Sequence, residues 1–353
     1  MLVRNDCMYF KGDRPCAPHK KTGVHCDGCP EYRPVGERLL IIKLGAAGDV
    51  IRTTPILRAL LARYPDAEIT WLTHSPIFVP SSYVTHIIRW TFENVLWLRN
   101  RTFDILYNLD KDREAIALAT AIQARIKKGY LMDAYGKCRP ADRNAEGKWR
   151  TGLFDDLSRK NAKSYPEELF EICDLPYQRQ KYILELPPSQ MDFDLPNDKT
   201  IIGLNTGCGS RWLTRLWGND NWMRLAEMLH KEGYLVLLLG GPQEDAMNRE
   251  IAAHSPAAYL GHFDLGDFLH LVNRCRLMVT SVTLALHIAL ALEKKIVLLN
   301  NIFNKNEFEL YGLGEILEPE GKTCLGCYKN ACPEPCMSTI PPMRVFDAIQ
   351  RLL

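Results

Sequence analysis

Apolar residues in this chain alternate between short continuous runs and longer stretches at helical spacing, and that alternation sets the fold class. The run LLII at 39–42 leads into glycines, residues 54–64 carry apolar positions at helical spacing with Pro55 suited to a first helical turn, and EITWLT at 68–73 forms the next run. Strand, glycine loop, helix and strand in that order make a βαβ unit. Further strands are expected at 86–90 and 103–109 and a helix at 113–124, whereas 132–163 is polar, basic and glycine-bearing and reads as a surface excursion. After a last apolar run at 182–186, the proline-rich segment 187–199 reads as a linker.

The second half repeats the logic. Strands are predicted at 200–204, 234–239, 277–280 and 295–299, with a glycine loop at 205–210 and helices at 221–231, 244–253 and 284–292. The expectation is an α/β protein of two Rossmann-like domains facing a central cleft, with ligands held beyond the carboxyl ends of the strands. The divisions predicted are a cysteine-rich module at 1–37, Rossmann-like domains at 38–190 and 191–320, and a four-cysteine motif with a terminal helix at 321–353.

Composition narrows the function classes. A length of 353 residues suits two domains, and 44 Lys and Arg against 42 Asp and Glu leave a net charge of only +2, which calls for no nucleic-acid partner. No apolar run approaches the roughly 18 residues that span a bilayer, and the N-terminus lacks a signal-like segment, so the expected location is the cytoplasm. Twelve cysteines are many for a reducing compartment. Cys138, Cys173, Cys208 and Cys275 are scattered and read as packing residues, while the other eight fall in two terminal groups.

Those groups are metal candidates. Cys324, Cys327, Cys332 and Cys336 place four thiols within thirteen residues, a spacing able to surround structural zinc or iron or to hold an iron–sulfur cluster. Cys7, Cys16, Cys26 and Cys29 are spaced more loosely, and His19 or His25 can replace a thiol there.

Other candidates sit at predicted strand ends. Gly45 and Gly48 allow close backbone approach, and Asp49 is either a general base or a helix cap. The third glycine of a dinucleotide fingerprint is missing, which argues against a dehydrogenase. Thr206, Gly207, Gly209 and Ser210, with Arg211 and Arg215 behind them, suit a diphosphate or form a plain connecting loop. Glu244 suits a ribose, a base or a cap, and His287 lies in the apolar helix LALHIALAL as a core residue or a ligand contact.

From about residue 38 onward, some nine tenths of the chain, the sequence resembles the ADP-heptose:lipopolysaccharide heptosyltransferases, which have the two-Rossmann GT-B architecture. The carrying motifs are GDVIRTTPILRAL at 48–60 with YPDAEI at 64–69, Thr206 and Gly207 leading to Arg215-Leu216-Trp217, GGPQE at 240–244, and VTLALH at 282–287. The resemblance implies an inverting transfer of a sugar, heptose from ADP-heptose, to a hydroxyl acceptor such as lipopolysaccharide core or a protein. It makes 38–190 the acceptor domain, 191–320 the nucleotide-sugar domain, and Asp49 the catalytic base. Donor contacts are implied at Gly48, Thr206, Gly207, Arg211, Arg215, Glu244, Thr283 and His287, with no metal needed for the chemistry. The partners implied are the nucleotide-sugar donor and a glycolipid or protein acceptor, reached with peripheral contact at the inner membrane. Arg139, Arg143, Lys148 and Arg150 are the candidate acceptor surface if 137–163 is more than a solvated loop. Arg215 stands where the family has Lys, and Val282 and Leu284 where it has Asp and Gly. Those changes leave open a non-catalytic sugar-nucleotide or glycan-binding relative, and the cysteines leave open an iron–sulfur or redox protein.

Overall fold

The computed structural model describes residues 1–189 and 191–353, so the expected boundary at 190 falls outside the described residues. Two compact units form, each from separate stretches of sequence. The first takes Met1–Gly45, Ile56–Ala145 and Phe170–Pro176, and the second takes Ala46–Pro55, Glu146–Leu169 and Tyr177–Leu353.

The first unit holds a sheet of β1 (Arg38–Ile42), β2 (Glu68–Thr73), β3 (His86–Arg89), β4 (Thr102–Asn108), β5 (Gln123–Met132) and β6 (Cys138–Pro140), ordered β3-β2-β1-β4-β5-β6. All neighbours are parallel except β5 and β6. Four of the five residues of β1 are fully buried, as expected of a central strand covered on both faces. β5 carries Lys127 and Lys128 and lies next to the edge, so its sequence lacks the apolar run that marks the other strands. Gly129 sits in it at φ +89°, and a Cβ there would run into the Asn108 carbonyl, so only glycine fits.

The second sheet holds β7 (Ile201–Asn205), β8 (Leu235–Leu239), β9 (Leu277–Ser281), β10 (Lys295–Leu299) and β11 (Gly314–Leu317), all parallel, in the order β11-β10-β9-β7-β8. Where the order reverses, between β7 and β9, the strand ends diverge and leave a crevice at their carboxyl edge.

The helices are α1 (Ala17–Thr22), α2 (Ala47–Thr53), α3 (Ile56–Arg63), α4 (Phe92–Arg99), α5 (Arg113–Ala121), α6 (Glu146–Thr151), α7 (Asp155–Lys160), α8 (Tyr165–Cys173), α9 (Asn219–Lys231), α10 (Asp245–Ala253), α11 (Leu265–Arg274), α12 (Leu284–Ala291) and α13 (Pro342–Leu352). α9 buries Trp222, Leu225, Ala226 and Leu229 at helical spacing against the second core, each large side chain contributing about 1.5–3 kcal/mol. α11 begins at Asp264, whose carboxylate accepts from Asp267 N at 2.9 Å. Among the described residues no helix is long and apolar enough to cross a membrane.

Two expectations change. The helix after β1 starts at Ala47 rather than at 54, and Pro55 separates it from α3. The supposed excursion at 132–163 contains β6, α6 and α7. The short α6 and α7 mix apolar and charged residues too densely to show a period.

Candidate active site

The loop between β1 and α2 is braced from below. Asp110, 6% exposed, accepts from the backbone N–H of Leu44 at 2.9 Å and of Gly45 at 3.2 Å. Lys43 Nζ stands 3.6 Å from the same carboxylate and donates to Leu109 O at 3.4 Å. The chain then leaves the first unit, and α2 packs against α12 in the second. Gly48 makes that approach possible, because a Cβ on it would stand 2.5 Å from the His287 ring.

Asp49 lies in the first turn of α2, where Ala46 holds the N-cap position and offers no side-chain cap. The cap reading of Asp49 therefore loses its position. Its side chain, 32% exposed, enters a cavity of about 420 Å³ lined also by Arg52, Trp212, Arg215, Thr283, His287 and Glu307.

His287 is buried on α12, and among the described residues its Nδ1 has no hydrogen-bond partner. Burial pushes the imidazole down to about 3, helped by the Arg52 charge and opposed by Asp49, so the ring is neutral near pH 7. An imidazole held that low is a weak base near neutral pH.

A second cavity of about 610 Å³ lies at the carboxyl ends of β7 and β8, lined by Asn205, Gly207, Gly240, Gly241, Glu244 and Phe268 among others. Arg215, Thr283 and Leu284 line both cavities. A Cβ on Gly207 would collide with the Glu244 carboxylate, which accepts from Gly241 N at 2.9 Å. Thr283 Oγ1 accepts from Asn205 Nδ2 at 3.3 Å and contacts Thr280 Oγ1 at 3.1 Å.

Arg215 is 8% exposed, and burial lowers its pKa, opposed by Cys208. It donates to Val282 O, to Cys208 O at 2.5 Å and to Trp212 O at 3.4 Å. Three of the five guanidinium N–H groups are thus engaged with backbone, leaving two for a ligand.

Not every predicted residue arrives here. Thr206 is 2% exposed and turns its hydroxyl onto Asn248 Oδ1 of α10 at 2.5 Å, away from both cavity linings. Arg211 is exposed beside the Trp212 ring and lines neither cavity. Arg52, Trp212, Phe303 and Glu307 were missed by sequence reasoning. Arg52 was findable, three residues after Asp49 on one helix, had the helix been started at Ala47.

The cysteines divide. Cys173, Cys208 and Cys275 are buried, and burial pushes the Cys275 thiol up to about 12, consistent with inert packing residues. Among the described residues no three His, Cys, Asp or Glu side chains are grouped so as to hold a metal ion. At the C-terminal set, Cys324 and Cys332 are exposed, Cys332 Sγ is 3.3 Å from Glu334 O, and Asn301 Nδ2 donates to Cys336 Sγ at 3.4 Å. The N-terminal four line one cavity of about 240 Å³ together with His19 and His25, whose ring centroids are 5.4 Å apart.

Comparison with known proteins places this geometry. Residues 96–336 match glycosyltransferase family 9 (heptosyltransferase). Lipopolysaccharide heptosyltransferase 1 of Pseudomonas aeruginosa is 24% identical over 328 residues, covering 84% of this chain and 87% of its own length. Among solved structures, a family 9 glycosyltransferase from Veillonella parvula superposes with a TM-score of 0.69 at 20% identity, over 90% of this chain and 97% of its own. The ADP-heptose lipopolysaccharide heptosyltransferase II of E. coli gives 0.65 at 20% identity, over 89% and 98%. The two sheets of mostly parallel strands are those of the GT-B glycosyltransferases.

Proposed function

The chain belongs to glycosyltransferase family 9, and from that premise we propose that it transfers heptose from ADP-heptose to a hydroxyl of lipopolysaccharide core. The observation that carries the reading is the Asp49 carboxylate opening into a cavity whose wall continues through Arg215 and Thr283 into a second cavity of nucleotide size.

In this reading the sugar lies against Asp49 and the ADP lies over Gly207, with Glu244 beside its nucleoside. Asp49 takes the proton of the acceptor hydroxyl as its oxygen bonds to the anomeric carbon and the bond to the diphosphate breaks. The two remaining Arg215 N–H groups and the backbone around Gly207 receive the charge that develops on the departing diphosphate. Gly48 and Thr283 shape the sugar end, and His287 contributes a neutral wall. Neither the non-catalytic nor the redox alternative is favoured by the family match.

The test is ADP release from ADP-heptose and from other ADP- and UDP-sugars, with lipid-borne core acceptor in vesicles. ADP-heptose should be preferred by at least about tenfold, a margin of roughly 1.4 kcal/mol. Preference for another donor would overturn the heptose assignment while leaving the transferase. A cytoplasmic enzyme working peripherally at the inner membrane should use vesicle-borne acceptor better than free core oligosaccharide. Equal use of the two would remove the membrane contact.

Structural zinc or iron at Cys7, Cys16, Cys26 and Cys29 remains part of the proposal. Its support is that all four thiols and both imidazoles line one cavity, and that Pro18 is the only buried residue in 1–37, too little core to hold a module of this size. Elemental analysis of the purified chain should find one bound ion that Cys26→Ser with Cys29→Ser removes. Metal-free protein with unchanged melting would end this reading. The C-terminal thiols have less support, being half exposed and engaged with neighbouring groups.

A further inference from the structure

Behind Asp49 lies a set of buried charges that the transfer step leaves unused. Arg52 Nε stands 2.9 Å from Asp49 Oδ1, a charge contact rather than an aligned hydrogen bond, with the arginine side chain 11% exposed. Its guanidinium carbon lies 3.4 Å from the centroid of the Tyr165 ring on α8, and Lys148 Nζ of α6 lies 4.9 Å from the same centroid. Lys148 contacts Glu168 at 2.7 Å and Glu307 at 3.8 Å. Glu307 then returns to the cavity wall that holds Asp49 and Arg52.

A guanidinium removed from water is costly unless its charge is met on several sides. Burial works against the Arg52 charge, yet the neighbouring carboxylates, Asp49 first and Glu307 behind it, hold its pKa above the usual range. Lys148 behaves alike: burial opposes its charge, and Glu307 and Glu168 more than restore it against the repulsion of Arg52. The guanidinium is therefore fixed as a cation between a carboxylate and an aromatic face. Asp49, Glu168 and Glu307 against Arg52 and Lys148 leave one excess negative charge. A proton taken by Asp49 makes the set neutral.

We propose that Arg52 is a positioning residue that aims and anchors the Asp49 carboxylate, and that the Tyr165–Lys148–Glu168–Glu307 set behind it offsets the arginine charge so that Asp49 stays basic enough to accept the proton. The inference rests on Asp49 being the base. The other groups facing Asp49 do not supply this balance. His287 of α12 is neutral, the Tyr182 phenol is raised by burial and stays protonated, and Arg215 from the turn at Leu213–Arg215, bonded to the Val282 and Cys208 carbonyls, is a further cation and offsets nothing.

The experiment compares Arg52→Met, Arg52→Lys and Glu307→Gln in kcat and in the pH profile of kcat/KM, with Asp49→Asn alongside and circular dichroism as a check of fold. Arg52→Met should lower kcat by about 10²-fold through lost aim. It should also move the acid limb of the profile upward by about 1–3 pH units, because a cation beside the carboxylate is gone. Glu307→Gln should move that limb downward, and Arg52→Lys should restore the limb but only part of kcat. A merely structural role moves no limb, and certainly not in opposite directions for the two charges. An unchanged kcat and profile in Arg52→Met, or both variants shifting the limb the same way, overturns the proposal. If Arg52→Met does not fold, the test is Glu307→Gln, whose limb should descend while that of Arg52→Lys stays in place; an unmoved limb in Glu307→Gln then overturns the proposal. Turnover retained in Asp49→Asn overturns the base reading itself, whereas its loss with an indifferent Arg52→Met removes the positioning role alone.

Discussion

Asp49→Ala should lower kcat by about 10²–10⁴-fold with little change in donor affinity, the range expected for losing a general base. The carboxylate enters the cavity from the first turn of α2 and is not needed to cap that helix, so the helix survives its loss. In the proposed reading the nucleotide of the donor binds elsewhere, in the cavity lined by Gly207, Gly240, Gly241 and Glu244. The variant does leave Arg52 without its carboxylate, and a buried unpaired guanidinium destabilises the protein. Asp49→Asn keeps the shape and a hydrogen-bonding oxygen while removing the base, so it separates lost chemistry from a loosened site. The measurements are ADP release under saturating substrates and calorimetric titration with ADP. Near-normal turnover in both variants would assign proton removal to another group, and a loss confined to KM would make Asp49 a binding residue.

Much of this was legible in the sequence, and the exceptions share a cause. β1, β2, β7, β8, β9 and β10 are continuous apolar runs because they are covered on both faces, and such runs announce themselves. β5 was missed since Lys127 and Lys128 break its run near an exposed edge. Gly45 and Gly48 were singled out as glycines that permit close approach; the structure gives Gly48 the His287 ring as its neighbour, whereas a Cβ on Gly45 would meet nothing within 4 Å. Thr206 was read as facing a phosphate because it follows a strand and precedes a glycine, but alternation along the backbone sends its hydroxyl into α10. Arg52 and Lys148 show the complementary error. A charged residue carries a strong prior of exposure, and sequence alone does not reveal the distant carboxylates and the aromatic ring that make burial tolerable.

Lys148 is where that error has the largest thermodynamic consequence. Lys148→Met should destabilise the protein by about 3–5 kcal/mol, because it strands Glu168, 4% exposed, with Asn161 as a neutral partner at 2.9 Å. At roughly 2–4 °C per kcal/mol for a unit of this size, the melting temperature should fall by about 6–20 °C. The acceptor-surface reading of the basic stretch predicts the reverse: an exposed lysine lost at a cost of about 0–1 kcal/mol, with weaker use of an anionic acceptor. Differential scanning calorimetry of Lys148→Met, Arg150→Ala and the double variant Lys148→Met with Glu168→Leu separates the two. Arg150, paired with Glu146 on an exposed helix face, should cost well under 1 kcal/mol. The double variant should recover most of the loss, since removing both charges together leaves neither to be solvated by protein alone. A small effect in Lys148→Met would return it to the surface and would also remove the charge that, through Glu307, connects the interior to the wall beside Asp49. A large effect with recovery ties the stability of the second unit to the same ion set that positions the base.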